Sequence, residues 1–404
     1  RSRGLGDVYK RQHMNDTTPR TMYASDTDNQ SVEKFRSLEQ ELNEIVLERH
    51  DEVRGTLLGL LSDTHVFLLG PPGTAKSYLL ESLCKRITGA QIFSRLMTKY
   101  SVPEEMFGPV KLSALQQDRY ERKIENHLPT AHFAFIDEVW KANSSILNSL
   151  LKILNERKYD NDETLVDCPL LLALFASNET PTDSELDALY DRIPLRFLSD
   201  DLQDNTSFSA VISGETRNPD DIVATVSLKD VMDARDEVAA LDMSDDVKLL
   251  IRGIDLRASH NGMRVSTRRH RQVVAAVKAH AWLEGRSEVS KMDLLLPYSA
   301  TVWKTATDVE PARETVEGLV APVYKQAKDA LKVVRVGKRE FDEARAGWNA
   351  SAASDAAKAV SKVGKVITTF DSLLDEASDD EKPLVARVKD EARAVHRHMA
   401  ESMA

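Results

Sequence analysis

The sequence predicts an α/β fold: a parallel, doubly wound sheet around a phosphate-binding loop, with an all-α lid and a C-terminal helical bundle after it. Three observations predict it. Residues 66–77 read Val-Phe-Leu-Leu-Gly-Pro-Pro-Gly-Thr-Ala-Lys-Ser: an apolar run, a Gly-rich turn, then Lys76 and Ser77. Further apolar runs at 91–97, 132–136, 170–176 and 195–198 alternate with helical patterns, as in a parallel sheet flanked by helices. The last hundred residues repeat apolar positions with the 3.5-residue period of helices packed along a seam.

Composition bounds the class. The chain has 404 residues, 42% hydrophobic and 29% charged, enough for two or three domains with a sizeable core. No apolar run approaches the ~20 residues of a membrane span. The sequence shows no secretory signal pattern. Cys84 and Cys168 fit no metal or redox spacing. A cytoplasmic, disulfide-free protein is the expectation. A net charge of −11 argues against wrapping nucleic acid over a large surface, though not against a local basic channel.

The elements follow in order. Residues 1–12 are basic and precede Met14, and read as a non-native leader or, alternatively, a native basic arm. Residues 15–31 are rich in Asp, Thr, Ser and Asn and read as disordered, which closes a first segment at 1–31. Residues 31–61 read as helical, with Val32, Phe35, Leu38, Leu42, Ile45 and Val46 at helical spacing. Residues 65–69 are the strand that enters the phosphate loop. Residues 143–156 form an amphipathic helix with Ile146, Leu147, Leu150, Leu151 and Leu154 on one stripe. The run at 170–176 is uninterrupted, as in a strand buried on both faces. These elements define a nucleotide-binding core at 32–200. Residues 201–225 read as a polar linker and 226–305 as the lid. In 306–404, Val316, Val320, Val323, Ala327, Ala330 and Val334 open a seam that Ala356 to Leu374 and Val385 to Met399 repeat. Breaks near 347–354 and 378–383, with Pro383 suited to a first helical turn, predict an antiparallel three-helix bundle.

The chemistry concentrates at the sheet's edge. Gly70 and Gly73 let the backbone curl so that N–H groups across Gly70, Pro71, Pro72, Gly73, Thr74, Ala75, Lys76, Ser77 and Tyr78 face phosphate oxygens, Pro71 and Pro72 shaping the turn without a donor. Lys76 would reach the β/γ-phosphates and the Ser77 hydroxyl would hold Mg²⁺. Ala75 stands where Gly is usual, and its methyl is tolerable if the residue has negative φ. The bland reading is a glycine-rich surface turn with a chance lysine. Hydrolysis needs more: a metal positioner, a water activator and a charge stabiliser. The strand at 133–136 ends in Asp137, which would hold Mg²⁺ through water, and Glu138, a general base. Asn178 follows the next strand and could orient the lytic water or merely cap a turn. Arg192 could reach a neighbouring subunit's γ-phosphate, whereas Arg196 reads as a salt-bridge partner within a strand. Arg268, just inside a helix capped by Ser266, could reach the phosphates of its own subunit. Arg269 is its alternative, and a solvated basic face is the bland reading of that cluster.

With these residues in place, the chain resembles an AAA+ ATPase of the MoxR family, and most of all its RavA (regulatory ATPase) branch. The resemblance rests on Gly-Pro-Pro-Gly-Thr-Ala-Lys-Ser at 70–77, Ser-Val-Pro-Glu-Glu-Met-Phe-Gly-Pro at 101–109, Arg-Tyr-Glu-Arg at 119–122, Phe-Ile-Asp-Glu-Val-Trp-Lys-Ala at 135–142, Ala-Ser-Asn-Glu at 176–179 and Ala-Leu-Tyr-Asp-Arg at 188–192. It covers about 34–300. It implies ATP and Mg²⁺ as cofactors, an AAA+ core, and Ala75 as an ordinary residue at its position. It also implies Asn178 as first sensor, Arg192 as arginine finger and Arg268 as second sensor. A hexameric ring, chaperone-like remodelling of client proteins and a partner with a von Willebrand factor A domain follow from it too. A loop facing the pore or surface would fall at 110–123. The RavA branch carries a further β-rich domain, and nothing after residue 305 reads as β. A nucleic-acid motor or loader and a nucleotide-gated scaffold are the rival functions.

Overall fold

The structure, a computed structural model, describes residues 26–181, 184–346 and 350–403. It opens with helices α1 (Asp26–Ile45) and α2 (His50–Leu61). The core continues through β1 (Val66–Leu69), α3 (Lys76–Lys85), β2 (Ile87–Thr88), β3 (Ile92–Leu96), α4 (Pro103–Phe107), α5 (Leu112–Leu115) and β4 (Phe133–Asp137). It ends with α6 (Ser144–Glu156), β5 (Lys158–Asn161), β6 (Thr164–Asp167), β7 (Leu172–Ser177), α7 (Ser184–Tyr190) and β8 (Leu195–Leu198). Five strands form one sheet in the order β3-β4-β7-β1-β8, and every pairing in it is parallel. β1 and β7 are buried at every position, which is why both read as unbroken apolar runs. The register places Leu69 beside Ser177 and Leu198, and Asp137 beside Ala176, so the carboxyl ends of β4, β7 and β1 form one edge.

Several expectations are corrected. The disordered reading of 15–31 fails at 26–31, which begin α1; residues 1–25 lie outside the described residues. The single helix over 31–61 is two helices. Glu48 takes a left-handed φ of 59° and Arg49 leaves helical geometry as the N-cap of α2, which turns the chain back on itself. The apolar stripe survives the break: Phe35, Leu38 and Leu42 of α1 and Leu57 and Leu58 of α2 are all fully buried. A hairpin of β5 and β6, missed in the sequence, turns at Asp162, whose φ is 59°.

The polar segment 201–225 is not slack. It holds α8 (Asn205–Ser213), capped by the Asp204 carboxylate and stopped by Gly214 at φ +69°. Its far end is fastened to the core: Val223 and Ala224 donate to Glu41, which pairs with buried Arg86 at 2.7 Å. The chain then enters β9 (Val226–Ser227), which pairs with β2. The lid comprises α9 (Leu228–Ala240), α10 (Asp245–His260), α11 (Thr267–Leu283) and α12 (Leu295–Val302), plus a two-residue ladder of β10 (Asp242–Met243) with β11 (Glu288–Val289).

The first seam of the bundle is interrupted. Val316 and Val320 belong to α13 (Val309–Val320), which packs into the main core. Ala321 leaves helical geometry and α14 (Pro322–Ala346) starts afresh, because proline offers no N–H to continue the ladder. α15 (Ala350–Glu376) and α16 (Lys382–Glu401) complete a bundle with its own core, including Leu331, Phe341, Val363, Phe370, Val385 and Met399. Gly337 faces Val363 where Glu340 pairs with Lys362, and Gly364 faces His396 where Asp371 pairs with Lys389, so α15 runs antiparallel to α14 and α16. Part of the expected turn near 347–354 lies outside the described residues, and α15 takes up the rest. Among the described residues no helix is long and apolar enough to cross a membrane.

Candidate functional site: the carboxyl edge of the sheet

The phosphate loop leaves β1 at Leu69 and ends where α3 begins at Lys76. Gly70 is obligatory for a reason beyond the loop's curl: a Cβ there would lie 2.0 Å from the Ser199 carbonyl oxygen at the end of β8. Gly73 has φ +89°, which a side chain rarely tolerates. Ala75 corrects the expectation of negative φ. Its φ is +62° and ψ 21°, a left-handed conformation that costs a non-glycine residue about 1–2 kcal/mol. Its carbonyl accepts from Leu79 N at 3.0 Å, so the strained residue launches α3.

Lys76 is buried and folds over the loop. Its Nζ donates to the carbonyls of Gly70 at 2.9 Å and Pro71 at 2.6 Å, and lies 3.3 Å from Thr74 Oγ1. Burial pushes its ammonium below the ordinary lysine range, while the carboxylates of Asp137 and Glu138 pull it back up. Asp137 and Glu138 are therefore electrostatic neighbours of the loop lysine, as their strand position requires. The Asp137 carboxylate accepts from the Glu138 N–H at 3.0 Å. Glu138 has φ 52°, so its side chain departs in a different direction from that of Asp137. Its Oε2 lies 3.0 Å from the Lys141 ammonium, an ion pair by distance, though among the described residues this oxygen accepts no well-directed hydrogen bond. Beyond its place in the motif at 135–142, nothing in the sequence distinguishes Lys141 from a solvated lysine.

Asn178 directly follows β7, the strand between β4 and β1, and is exposed at the edge that carries Asp137 and Gly70. The neighbouring Ser177 carbonyl accepts from Gly70 N at 3.0 Å, which fastens this strand end to the loop. Ser77 is half-buried in the first turn of α3 and Tyr78 is partly exposed beside it. A hydroxyl and a carboxylate are hard oxygen donors, and the set of Ser77 and Asp137 suits Mg²⁺, which keeps several waters of its own.

The arginines divide sharply. Arg196 is fully buried, donating to the carbonyls of Ile193, Tyr190 and Trp303, with its guanidinium 3.5 Å from the Tyr190 ring centroid. It thus joins β8 to the lid through carbonyls and a ring rather than through the expected salt bridge. Arg269 is also buried and donates to the Thr301 carbonyl. Arg268 is exposed, and Arg192 is half-buried with Nη1 on the Ala188 carbonyl at 2.5 Å and its Nε without a hydrogen-bond partner among the described residues. Burial, and the charge of Arg268 beside it, push the Arg192 guanidinium down. Ser266 joins the two segments by donating to Asp191 at 2.7 Å, and also caps α11. The structure therefore brings Arg192 and Arg268 together. Strand order does not bring Arg192 to its own phosphate loop. Leu195 pairs with Val66, the first residue of β1, while the loop leaves from Leu69, about 10 Å further along the strand.

A five-stranded parallel sheet carrying a phosphate loop, with paired carboxylates and Asn178 on its carboxyl edge and a helical lid, defines the AAA+ ATPase architecture. Comparison with known proteins specifies it further. Residues 33–236 match the MoxR domain of the MoxR-vWA-beta-propeller ternary systems, and residues 232–316 match an AAA lid domain. An uncharacterized protein of Methanocaldococcus jannaschii is 33% identical over 77% of this chain and 80% of its own. A second from the same organism is 38% identical over 65% of this chain and 69% of its own. Chaperone MoxR1 of Mycobacterium tuberculosis is 32% identical over 29% of this chain and 30% of its own. The crystal structure of a proposed ATPase from Cytophaga hutchinsonii shares the fold, with a TM-score of 0.58 at 19% identity over 72% of this chain and 95% of that one. The chain belongs to the MoxR family of AAA+ ATPases.

Proposed function

We propose that the chain hydrolyses ATP with Mg²⁺ at the carboxyl edge of its sheet, that each site is completed by a second copy, and that turnover drives remodelling of a client protein. Lys76 and the loop N–H groups would bind the phosphates, Ser77 and water-bridged Asp137 would hold Mg²⁺, and Asn178 would orient water. Glu138 would take the proton of that water. When bound, the metal neutralises charge developing on the phosphate oxygens. The observation that carries the reading is the split of the site. Lys76, Asp137, Glu138 and Asn178 cluster at one end of the strands, while Arg192 and Arg268 sit together before the start of β8. Both arginines then serve a neighbour's nucleotide. Action of Arg268 within its own subunit, as its match to a second sensor implies, is the alternative arrangement.

Such a site is heterologous, head to tail, and builds a ring where the rotation between copies closes. A hexamer in the cytoplasm is the form we propose. Exposed Leu112, Leu115 and Tyr120 on the segment 110–123 offer a surface to the client. The matched domain's own description supports a partner with a von Willebrand factor A domain. We extend the likeness to the RavA branch only to the core and lid, since the described part of 322–403 is built of the helices Pro322–Ala346, Ala350–Glu376 and Lys382–Glu401 rather than strands.

Steady-state hydrolysis and nucleotide binding test the reading together. Lys76→Ala should lose binding. Glu138→Gln should bind ATP and lose on the order of 10²–10⁴ in turnover. Wild-type turnover by Glu138→Gln would contradict the assignment.

A further inference from the structure

We propose that Arg49 is a positioning residue that fixes the strained peptide of the phosphate loop and ties it to the segment leading to the lid; this rests on the nucleotide reading above. Arg49 lies in the turn between α1 and α2, far in sequence from every motif of the site, and is only 7% exposed. Its Nε donates to the Thr74 carbonyl at 3.4 Å, and its Nη2 donates to the Asp200 carbonyl just beyond β8. Nη1 closes the turn on the Glu48 carbonyl at 3.1 Å. One planar guanidinium thus spans the loop and the exit from the sheet, a task that its rigid fork performs and a single ammonium does not.

The Thr74 carbonyl has a particular significance. It belongs to the peptide joining Thr74 to Ala75, whose C=O and N–H point in opposite directions in a trans bond. Pulling the carbonyl toward Arg49, away from the cradle, turns the Ala75 N–H toward the phosphates. Ser199 Oγ assists from β8 at 3.4 Å from the same oxygen. These two donors explain how a non-glycine residue is held at φ +62°: the surroundings determine the conformation against its local preference.

The Asp200 contact carries the loop's position onward. The Glu48 carboxylate accepts from the N–H groups of Gln203 at 2.8 Å and Asp204 at 3.1 Å. The residues on either side of one turn, Glu48 and Arg49, therefore grip the first part of the connection to the lid. The far part is gripped by Glu41 through Val223 and Ala224. A shift of the loop on binding phosphate reaches 200–204 through Arg49, which holds Thr74 and Asp200 at once, and through Ser199, the residue before Asp200.

Amide hydrogen exchange with and without ADP, beside a fluorescence titration of ADP, tests this. In the wild type, ADP should slow exchange at 200–204. Arg49→Lys, which keeps charge but cannot span both carbonyls, should weaken ADP binding about tenfold and remove most of the ADP-dependent slowing at 200–204, leaving what Ser199 transmits. Glu48→Ala, which removes both acceptors, should keep ADP affinity within about twofold and lose the slowing only at Gln203 and Asp204. If Arg49→Lys fails to fold, the wild type decides: unchanged exchange at 200–204 on adding ADP, with ADP bound, overturns the proposal. Wild-type affinity and protection in Arg49→Lys also overturn it, and a lowered Tm with both retained assigns Arg49 a purely structural role. Absence of ADP binding by the wild type overturns the nucleotide reading itself.

Discussion

The carboxyl edge of the sheet and the C-terminal bundle solve opposite problems. At the edge, Ala75 and Glu138 hold left-handed backbone, Lys76 is buried among carbonyls, and two adjacent carboxylates share a strand end. In the bundle, α14, α15 and α16 place apolar residues at their expected spacing and bury them in one seam, with ion pairs on the rim. The bundle follows local preference and the edge departs from it. Local violations persist only where surrounding structure over-determines them, and they gather where chemistry needs groups aimed at a ligand.

Substitutions can break or sharpen this contrast. The largest effect belongs to the bundle core: Phe370→Ala should cost about 3–5 kcal/mol of bundle stability, read by denaturant unfolding, while ADP affinity stays unchanged. A loss of ADP binding would mean that the bundle and the edge are not separable.

Next comes a buried carboxyl behind the loop. Burial pushes Glu52 up to about 7, with the charge of Arg49 pulling the other way. The unfolded chain ionises this group near 4.5 and the folded protein near 7. Its contribution is therefore present at low pH and is lost as pH rises between these values, by on the order of 3 kcal/mol. Glu52→Gln should flatten that part of the Tm-versus-pH curve. An unchanged slope would show that Glu52 is ionised throughout.

The smallest effects give the sharpest comparison, because one kind of substitution should have opposite signs in the two regions. Ala75→Gly relieves left-handed strain at some entropic cost and should stabilise by about 0.5 kcal/mol. Ala357→Gly, at an exposed position inside α15, should destabilise by about 1 kcal/mol. Equal signs in calorimetry would remove the contrast.

The same contrast explains what could be read from the sequence. The strands of the sheet, the loop, Asp137-Glu138 and the bundle period are written as local patterns, so they were legible. The left-handed Ala75 was not, because Arg49 and Ser199 impose it from distant parts of the chain. The break at 46–49 is held through Glu48 by Gln203 and Asp204, and the end of 217–226 by Glu41 and Arg86, partners remote in sequence. The hairpin at 158–167 has polar ends and too short a run to declare itself. Arg192 and Arg268 were each visible, but their adjacency comes from the Ser266–Asp191 contact between lid and core.

The central claim is that a second copy completes the site, and one mixing experiment tests it most directly. Glu138→Gln and Arg192→Ala should each be nearly inactive alone. Mixed, a subunit with intact Glu138 meets a neighbour with intact Arg192, and ATPase activity should return in proportion to such pairs. Activity no higher than the sum of the two separate variants would place Arg192 within its own subunit's site and contradict the account.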